Sequence, residues 1–226
     1  MLGKIISFED AAKSFQGYLS APENGGAGVI VLQEWWGLND QIKEVCDLLA
    51  EQGFTAFAPD LYEGTSTSDP DEAGRLMMAL DIDNTALHLN AAVDYLLSLP
   101  ECSSTKVGVM GFCMGGQLAL YAISINENIA ICANFYGIHP NVHPKFEQIK
   151  GKVLGFFGKE DHLTTPEAVA SLEAKLTEHG VDFEFRSYEG AQHAFTNHHR
   201  PDVHHPDASE DSWKHMISEF RTALAD

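Results

Sequence analysis

The sequence lacks long apolar runs, and it is poor in basic residues. No hydrophobic segment approaches the roughly 20 residues that a membrane-spanning helix needs, and the first ten residues lack the apolar core of a signal peptide. Only 14 lysine and arginine residues stand against 33 aspartate and glutamate residues, which gives a net charge of −19. That balance disfavours nucleic acids and anionic membranes as partners. We therefore expect a cytoplasmic protein.

Cysteine is also scarce, and its spacing is irregular. The four cysteines, Cys46, Cys102, Cys113 and Cys132, form no Cys-x-x-Cys pair and indicate no disulfide framework. They favour reduced thiols in a reducing compartment. Cys46 lies on an apolar helical pattern and Cys132 in an apolar strand pattern, so we expect both in the core.

Strand and helix patterns alternate along the chain and predict a single α/β domain over residues 1–226. Two strand patterns at the start, 4–8 and 14–20, are expected to pair antiparallel. Further strand patterns lie at 28–33, at 54–58, from Val107, and at 129–135, 152–157 and 182–188; helical patterns lie at 41–52, 72–80, 84–99, 117–123, 165–179 and 209–225. This alternation predicts a mostly parallel central sheet with helices on both faces.

The most informative segment joins the strand pattern from Val107 to the next helical pattern. Between them lies the turn Gly111-Phe112-Cys113-Met114-Gly115. A strand, a Gly-x-Cys-x-Gly turn and a helix in this order match the nucleophile elbow of α/β-hydrolases, with cysteine in the place of serine. The flanking positions must be small because the tip of so sharp a turn has a strained backbone. Since the helix N-terminus favours negative charge at the sulfur, Cys113 is the predicted nucleophile.

Two polar residues, each just after a later strand pattern, are candidate partners of that thiol. Asp161 and then His193 follow Cys113 along the chain, and nucleophile, acid, histidine is the order in α/β-hydrolases. A free thiol is mostly protonated at neutral pH, so His193 is expected to take its proton while Asp161 orients the imidazole. Glu160 and His162 are the neighbouring alternatives for the acid and the histidine.

A second cluster follows the first buried strand pattern. The backbone N–H groups of Trp35 and Met114 are the candidate donors of an oxyanion hole. A carboxylate at a buried strand end is costly without a partner, so Glu34 is expected to hold the Cys113 thiol by a hydrogen bond or to carry its proton. The alternative is a surface glutamate at a loop edge. Trp36, like Trp35, is a candidate for lining the substrate pocket, with plain packing as the alternative.

Four separated motifs together resemble the dienelactone hydrolase (carboxymethylenebutenolidase) family. They are Gln-Glu-Trp-Trp-Gly at 33–37, Ala-Pro-Asp-Leu-Tyr at 58–62, Gly-Phe-Cys-Met-Gly-Gly at 111–116 and Gly-Ala-Gln-His-Ala-Phe at 190–195. The resemblance covers nearly the whole chain. It implies an α/β-hydrolase fold, no metal or organic cofactor, and a monomer, with a weak homodimer as the alternative. It also implies hydrolysis of dienelactone to maleylacetate by a Cys113–His193–Asp161 triad, with Glu34 in contact with the resting thiol.

The chain departs from the family pattern where a substrate carboxylate is bound. The arginine that the resemblance implies four residues after the triad histidine is Asn197 here. Arg75, in the helical pattern after the Leu-Tyr loop, and Arg200 are the candidates for the missing charge. A charge-assisted contact contributes about 1.5–3 kcal/mol, so this departure bears directly on the identity of the substrate.

The histidine-rich segment 198–205 is the one feature that suggests a metal. Adjacent loop histidines rarely converge on one ion without a rigid scaffold, and no other residue nearby in the sequence has ligand spacing. The expectation is therefore no metal site, and either a lid near the active site or a solvated loop.

Two hypotheses of different classes follow. The first is a cysteine-dependent hydrolase that cleaves a small-molecule lactone or activated ester through a thioester intermediate, with a general carboxylesterase or thioesterase as the alternative. The second is a non-catalytic member of the fold that binds a ligand. The presence of all three triad groups favours the enzyme, because a binding module does not need them together.

Overall fold

The computed structural model describes residues 3–10 and 13–225, and its strands form one sheet. The strands are β1 (Lys4–Asp10), β2 (Lys13–Ser20), β3 (Ala27–Leu32), β4 (Phe54–Pro59), β5 (Val107–Phe112), β6 (Ile129–Phe135), β7 (Lys152–Gly158) and β8 (Phe183–Tyr188). Their order in the sheet is β1-β2-β4-β3-β5-β6-β7-β8. The pairs β1–β2 and β2–β4 are antiparallel and all other neighbours are parallel. The predicted, mostly parallel sheet is confirmed.

Helices cover both faces of this sheet, as predicted. They are α1 (Asp40–Glu51), α2 (Pro70–Ala79), α3 (Ile82–Ser98), α4 (Met114–Ile125), α5 (Pro166–Glu178) and α6 (Pro206–Ala223), with a short 3-10 helix at Phe146–Gln148 that the sequence patterns did not predict. Apolar side chains of α1 and α6 pack on one face of the sheet. Those of α3, α4 and α5 pack on the opposite face. Burial of these two apolar layers is the main stabilising contribution.

Local chemistry sets the helix ends. Asn39 accepts a hydrogen bond from the N–H of Ile42 and so caps α1. Helix α6 begins at Pro206, three residues before the predicted start, because proline suits the first helical position and the ring of His205 accepts from the N–H of Ala208. No helix in the described part of the chain is both long enough and apolar enough to cross a bilayer.

The strand order creates the position of the site. The chain passes from β3 to β4 on one side, and then to β5 on the other side of β3. Crevices outside the carboxyl ends of strands at such a reversal are the usual ligand sites of open α/β sheets. Glu34 follows β3 and Cys113 follows β5, so two of the predicted site residues flank this crevice.

Candidate active site

Cys113 occupies the tip of a sharp turn between β5 and α4. Its backbone has φ 52° and ψ −118°, a strained conformation for a non-glycine residue. A methyl group at Gly111 would lie 2.1 Å from the carbonyl oxygen of Gly115, and one at Gly115 would lie 2.3 Å from the carbonyl oxygen of Leu32. Close backbone packing therefore requires both glycines, as the elbow motif predicts.

The side chains of Asp161 and His193 are hydrogen-bonded to each other. Oδ2 of Asp161 lies 2.7 Å from Nδ1 of His193. The other carboxylate oxygen accepts from the N–H groups of Leu163 and Thr164, at 2.7 and 2.9 Å. Burial raises the pKa of Asp161, but the bond and charge of His193 and the two backbone donors outweigh it and hold this pKa below the ordinary value. The carboxylate is thus fixed and ionised, as an orienting group must be.

The neighbouring alternatives, Glu160 and His162, take no part in the hydrogen bond between Asp161 and His193. Glu160 and His162 are both exposed, at the rim of the cavity that holds Cys113. Asp161, by contrast, is 2% exposed and makes the contact with His193.

The free nitrogen of His193 faces no partner. Its Nε2 is buried and has no hydrogen bond to any described residue, the Cys113 thiol included. The ring packs edge-on against Tyr136, with centroids 5.0 Å apart. Tyr136 is fully buried with φ 42°, and its hydroxyl lies 2.6 Å from Oγ1 of Thr196. Sequence reasoning missed Tyr136, although its position directly after β6 could have indicated it.

The surroundings of Cys113 favour the neutral thiol over the thiolate. Cys113 is 8% exposed. Burial raises its pKa, the nearby Glu34 carboxylate and more weakly that of Asp161 raise it further, and the N–H of Met114 opposes them. The thiol therefore needs a proton acceptor before it can act as a nucleophile.

Glu34 is a buried carboxylate and not a surface residue. It is 2% exposed, its Oε2 accepts from the side-chain amide of Asn197 at 3.4 Å, and its Oε1 has no partner among the described residues. Burial raises the pKa of Glu34, and the charges of His193 and Arg200 and the bond from Asn197 oppose this. The expected hydrogen bond to the Cys113 thiol is not formed in the described residues, although Oε1 has no other partner.

Two backbone N–H groups are the predicted oxyanion donors. Met114 is the first residue of α4, and its N–H is directed at the Cys113 sulfur. Trp35 follows β3 on the other side of the crevice. The N–H of Trp35 donates to no other backbone group in the described residues, whereas that of Met114 has the Cys113 sulfur as its partner. Both remain candidate donors to a negatively charged oxygen.

A cavity of about 440 Å³ opens above Cys113. Its polar lining comes from Cys113, Glu34, Glu160, His162, Gln192, His193 and Arg200. Its apolar lining comes from Trp35, Trp36, Met77, Ile138, Pro140, Leu163, Ala194 and Val203. Its volume and mostly apolar lining are typical of small-molecule sites.

The predicted substrate-binding residues do not all reach this cavity. Trp36 and Arg200 line it. Asn197 lines a neighbouring cavity of about 680 Å³, and its side-chain amide donates to Glu34. Arg75 was predicted as a candidate, but its side chain is 73% exposed on α2, pairs with Glu72 and lines neither cavity. The prediction for Arg75 fails because that face of α2 points to solvent.

Comparisons with known proteins show the family of the chain. The model of the dienelactone hydrolase family matches residues 15–224. The chain belongs to the dienelactone hydrolase family. Protein usf of Aquifex pyrophilus is 36% identical, over 99% of this chain and 100% of that protein. The carboxymethylenebutenolidase homolog of Mus musculus is 27% identical, over 80% of this chain and 76% of its own.

Comparison with a solved structure shows the fold. The dienelactone hydrolase-like promiscuous phosphotriesterase P91 from metagenomic libraries matches 99% of this chain and 98% of its own, with a TM-score of 0.87 and 25% identity. This dienelactone hydrolase family member therefore has the α/β-hydrolase fold. Its family is one of carboxymethylenebutenolidase-like hydrolases, consistent with a carboxylic ester hydrolase.

Proposed function

We propose that this protein is a cysteine-dependent hydrolase that cleaves a lactone or an activated ester, of the type that converts dienelactone to maleylacetate. One observation carries the proposal. His193 and Cys113 line the same cavity, Asp161 orients the His193 ring through Nδ1, and Nε2 of that ring has no hydrogen-bond partner in the described residues. A nucleophile, a base without a competing partner and a fixed carboxylate are the groups that covalent acyl transfer needs.

The first half-reaction forms a thioester. A rotation of the Cys113 side chain brings the thiol to Nε2 of His193, which takes its proton. The thiolate attacks the carbonyl carbon, and the new oxyanion is bound by the N–H groups of Trp35 and Met114. The carbon–oxygen bond of the ester then breaks, and the protonated His193 returns the proton to the departing oxygen.

The second half-reaction releases the acid. A water molecule gives its proton to His193 while its oxygen attacks the thioester carbonyl. The carbon–sulfur bond breaks, and the thiolate of Cys113 recovers the proton from His193. Because a thiolate is a good leaving group, enolates and other weakly basic leaving groups are needed for the first half-reaction to go forward. Lactones of enols satisfy this requirement, and amides do not.

Glu34 is proposed as a second proton acceptor near the thiol. Its carboxylate is close enough to Cys113 to raise the pKa of that thiol, and its Oε1 has no hydrogen bond in the described residues. Burial raises the pKa of Glu34, which brings its basicity nearer to that of an acceptor working at neutral pH.

A general carboxylesterase or thioesterase is the second candidate, and the lining favours it in one respect. Eight of the residues that line the cavity are apolar or aromatic. The position four residues after His193, which the family resemblance assigns to arginine, holds the neutral Asn197. An uncharged ester would fit this lining without a carboxylate clamp. Arg200 is the charged group that favours an anionic lactone instead.

The experiment compares two substrates on the wild type and on Cys113→Ala. The ultraviolet absorbance of dienelactone and the release of nitrophenol from p-nitrophenyl acetate report the two candidate activities. We expect Cys113→Ala to lower kcat/KM by about 10³-fold or more. Cys102→Ala is the matched control, because Cys102 is half-buried away from the cavity, and its activity should equal that of the wild type.

The outcomes separate the alternatives. Decay of dienelactone that depends on Cys113 supports the lactonase. Hydrolysis of the nitrophenyl ester alone supports the general carboxylesterase. Equal turnover by wild type and Cys113→Ala contradicts the thiol mechanism, and no turnover of either substrate by folded wild type favours a ligand-binding member of the family.

A further inference from the structure

Two adjacent histidines converge on one carboxylate at the edge of the active-site loop. Nε2 of His199 lies 2.7 Å from Oε2 of Glu44, and Nε2 of His198 lies 3.2 Å from the same oxygen. The histidines belong to the loop that follows His193, and Glu44 belongs to α1. Neighbouring residues usually point their side chains apart, but here a turn brings both rings together, with centroids 4.5 Å apart.

The three side chains together offer a metal-ligand set. One nitrogen of each histidine and one oxygen of Glu44 all lie within 4.8 Å of one another. A tetrahedral zinc ion with bonds of about 2.1 Å separates its ligand atoms by about 3.4 Å. The two nitrogen–oxygen distances of 2.7 and 3.2 Å are below that value, and the limit of 4.8 Å on all three separations is above it. Helix α1 supplies the rigid scaffold whose absence from the sequence pattern led to the expectation of no metal site.

A second cluster in the protein provides an internal comparison. Glu184, His215 and Glu219 are similarly close. There, however, Lys152 pairs with both glutamates, and the guanidinium of Arg186 contacts Glu184 and His215. Those cations already neutralise the carboxylates and would repel a metal ion.

No such lysine or arginine contact is found at Glu44 in the described residues. The contacts of Glu44 in the described residues are those with His198 and His199, and both histidines can bind a metal in their neutral form. The net charge of −19 also favours the approach of a cation to this surface.

We propose that Glu44, His198 and His199 bind one divalent transition-metal ion of the zinc, nickel and copper group. Two imidazole nitrogens and one carboxylate oxygen suit this group better than calcium or magnesium, which prefer oxygen ligands. The histidines are 53% and 41% exposed, so water fills the open coordination positions. On binding, the ion replaces the proton that the His199–Glu44 hydrogen bond now shares.

The position of this metal site gives it a structural consequence. The N–H of His199 donates to Oδ1 of Asn197 at 3.1 Å, and the amide of Asn197 donates to Glu34. The ion would therefore join α1 to the loop that carries both Asn197 and the cavity residue Arg200. This site does not depend on the proposed reaction, because none of its three ligands lines the Cys113 cavity.

The test is a calorimetric titration of zinc chloride into tag-free, chelator-treated full-length protein. We expect one ion per chain in the wild type, and affinity lower by about tenfold or more in Glu44→Gln and in His199→Ala. Two matched controls remove other histidines. His204→Ala alters the same loop outside the cluster, and His215→Ala alters the second cluster; both should bind zinc like the wild type.

A second measurement, the melting temperature, distinguishes loss of the zinc site from misfolding of a variant. Zinc should raise the melting temperature of the wild type and of both controls, because an ion bound only by the folded state stabilises it. It should leave the melting temperature of Glu44→Gln nearly unchanged, while the melting temperature without zinc stays close to that of the wild type. Absence of stoichiometric zinc binding in the wild type, or loss of binding in His215→Ala or His204→Ala but not in Glu44→Gln, would overturn the proposal.

Discussion

The side-chain amide of Asn197 donates a hydrogen bond to the buried carboxylate of Glu34 over 3.4 Å, across 163 positions of sequence. This bond joins the loop after His193 to the segment that follows β3. A neutral amide at this distance compensates only part of the cost of a buried charge. Because the bond does not offset the cost of burying the charge, burial still raises the pKa of Glu34.

Glu34→Gln should therefore stabilise the protein, and more so at alkaline pH. A carboxyl group whose pKa is raised by folding contributes stability fully below its unfolded pKa, about 4.3, and loses that contribution as the pH rises through the folded pKa. We expect the stability advantage of the variant over the wild type to be larger at pH 8 than at pH 5. Thermal melts at both pH values measure the difference.

The same variant tests the role of Glu34 in the reaction. Its kcat should fall although its stability rises, which is the usual cost of a strained active site. Glu160→Gln, which removes an exposed neighbouring carboxylate, should change neither the stability nor its pH dependence. A variant at Glu34 that is less stable than the wild type at pH 8 would contradict the account of an undercompensated charge.

Arg200→Gln should change substrate selectivity. Arg200 lines the cavity and also contacts the exposed Asp202 at 2.9 Å. Loss of one partly exposed charge contact should raise KM for a carboxylate-bearing ester by about tenfold, with little change for a neutral ester of the same leaving group. The comparison uses steady-state kinetics on the two esters.

Arg75→Gln is the matched control for that comparison. Its side chain lies on the exposed face of α2, outside both cavities, so neither ester should respond. If Arg75→Gln and not Arg200→Gln raised KM for the anionic ester, the assignment of the charged cavity residue would be wrong.

Gly115→Ala should destabilise the fold at the elbow. Its methyl group would lie 2.3 Å from the carbonyl oxygen of Leu32, a backbone atom that cannot move aside without distorting β3. We expect a loss of about 2–4 kcal/mol in the free energy of unfolding, from overpacking and backbone shifts. Urea denaturation followed by circular dichroism measures it.

Gly74→Ala provides the contrast. Gly74 lies inside α2, and the nearest atom to an added methyl group there is 3.9 Å away on Trp35. Alanine should stabilise this helix by about 0.5–1 kcal/mol. Equal effects of the two substitutions would show that glycine at the elbow is not needed for close packing.

His88 should make the protein acid-sensitive. It is 4% exposed on α3, its ring stacks on Phe15 at 4.2 Å, and its Nε2 has no partner among the described residues. Burial lowers its pKa to about 4. Since the unfolded chain binds a proton at a pKa of about 6.5, folding stability falls as the pH drops between these two values.

His88→Phe should remove that loss while keeping the stack. We expect the wild type to lose about 2 kcal/mol more than the variant between pH 7 and pH 5. Urea denaturation at both pH values measures the difference, and His88→Leu should behave in the same way. Parallel pH dependence in the wild type and both variants would contradict the assignment.

The sequence predicted the contacts that strand order dictates. Asp161 and His193 were expected to meet because each follows a parallel strand, and the carboxyl ends of parallel strands share one edge of the sheet. The strain at Cys113 was predictable for a similar reason, since a Gly-x-Cys-x-Gly turn between strand and helix leaves little conformational choice.

Contacts that depend on loop paths could not be predicted. The Asn197–Glu34 bond, the packing of Tyr136 on His193 and the approach of His199 to Glu44 each join a loop side chain to a distant element. No periodicity marks such pairs, because neither propensity nor spacing fixes the conformation of a loop. The prediction that Arg75 binds the substrate was wrong for a related reason. The hydrophobic pattern of α2 does not indicate which polar face of the helix meets a cavity.

The most direct test of the account is to identify the acylated residue during turnover. The wild type is mixed with p-nitrophenyl acetate, quenched in acid within the first turnovers and analysed by peptide mass spectrometry. We predict an acetyl group on the peptide that contains Cys113, removable by hydroxylamine as a thioester should be, and none in Cys113→Ala. Acetylation of another residue that turns over at the steady-state rate, or undiminished hydrolysis by Cys113→Ala, would contradict the thioester mechanism.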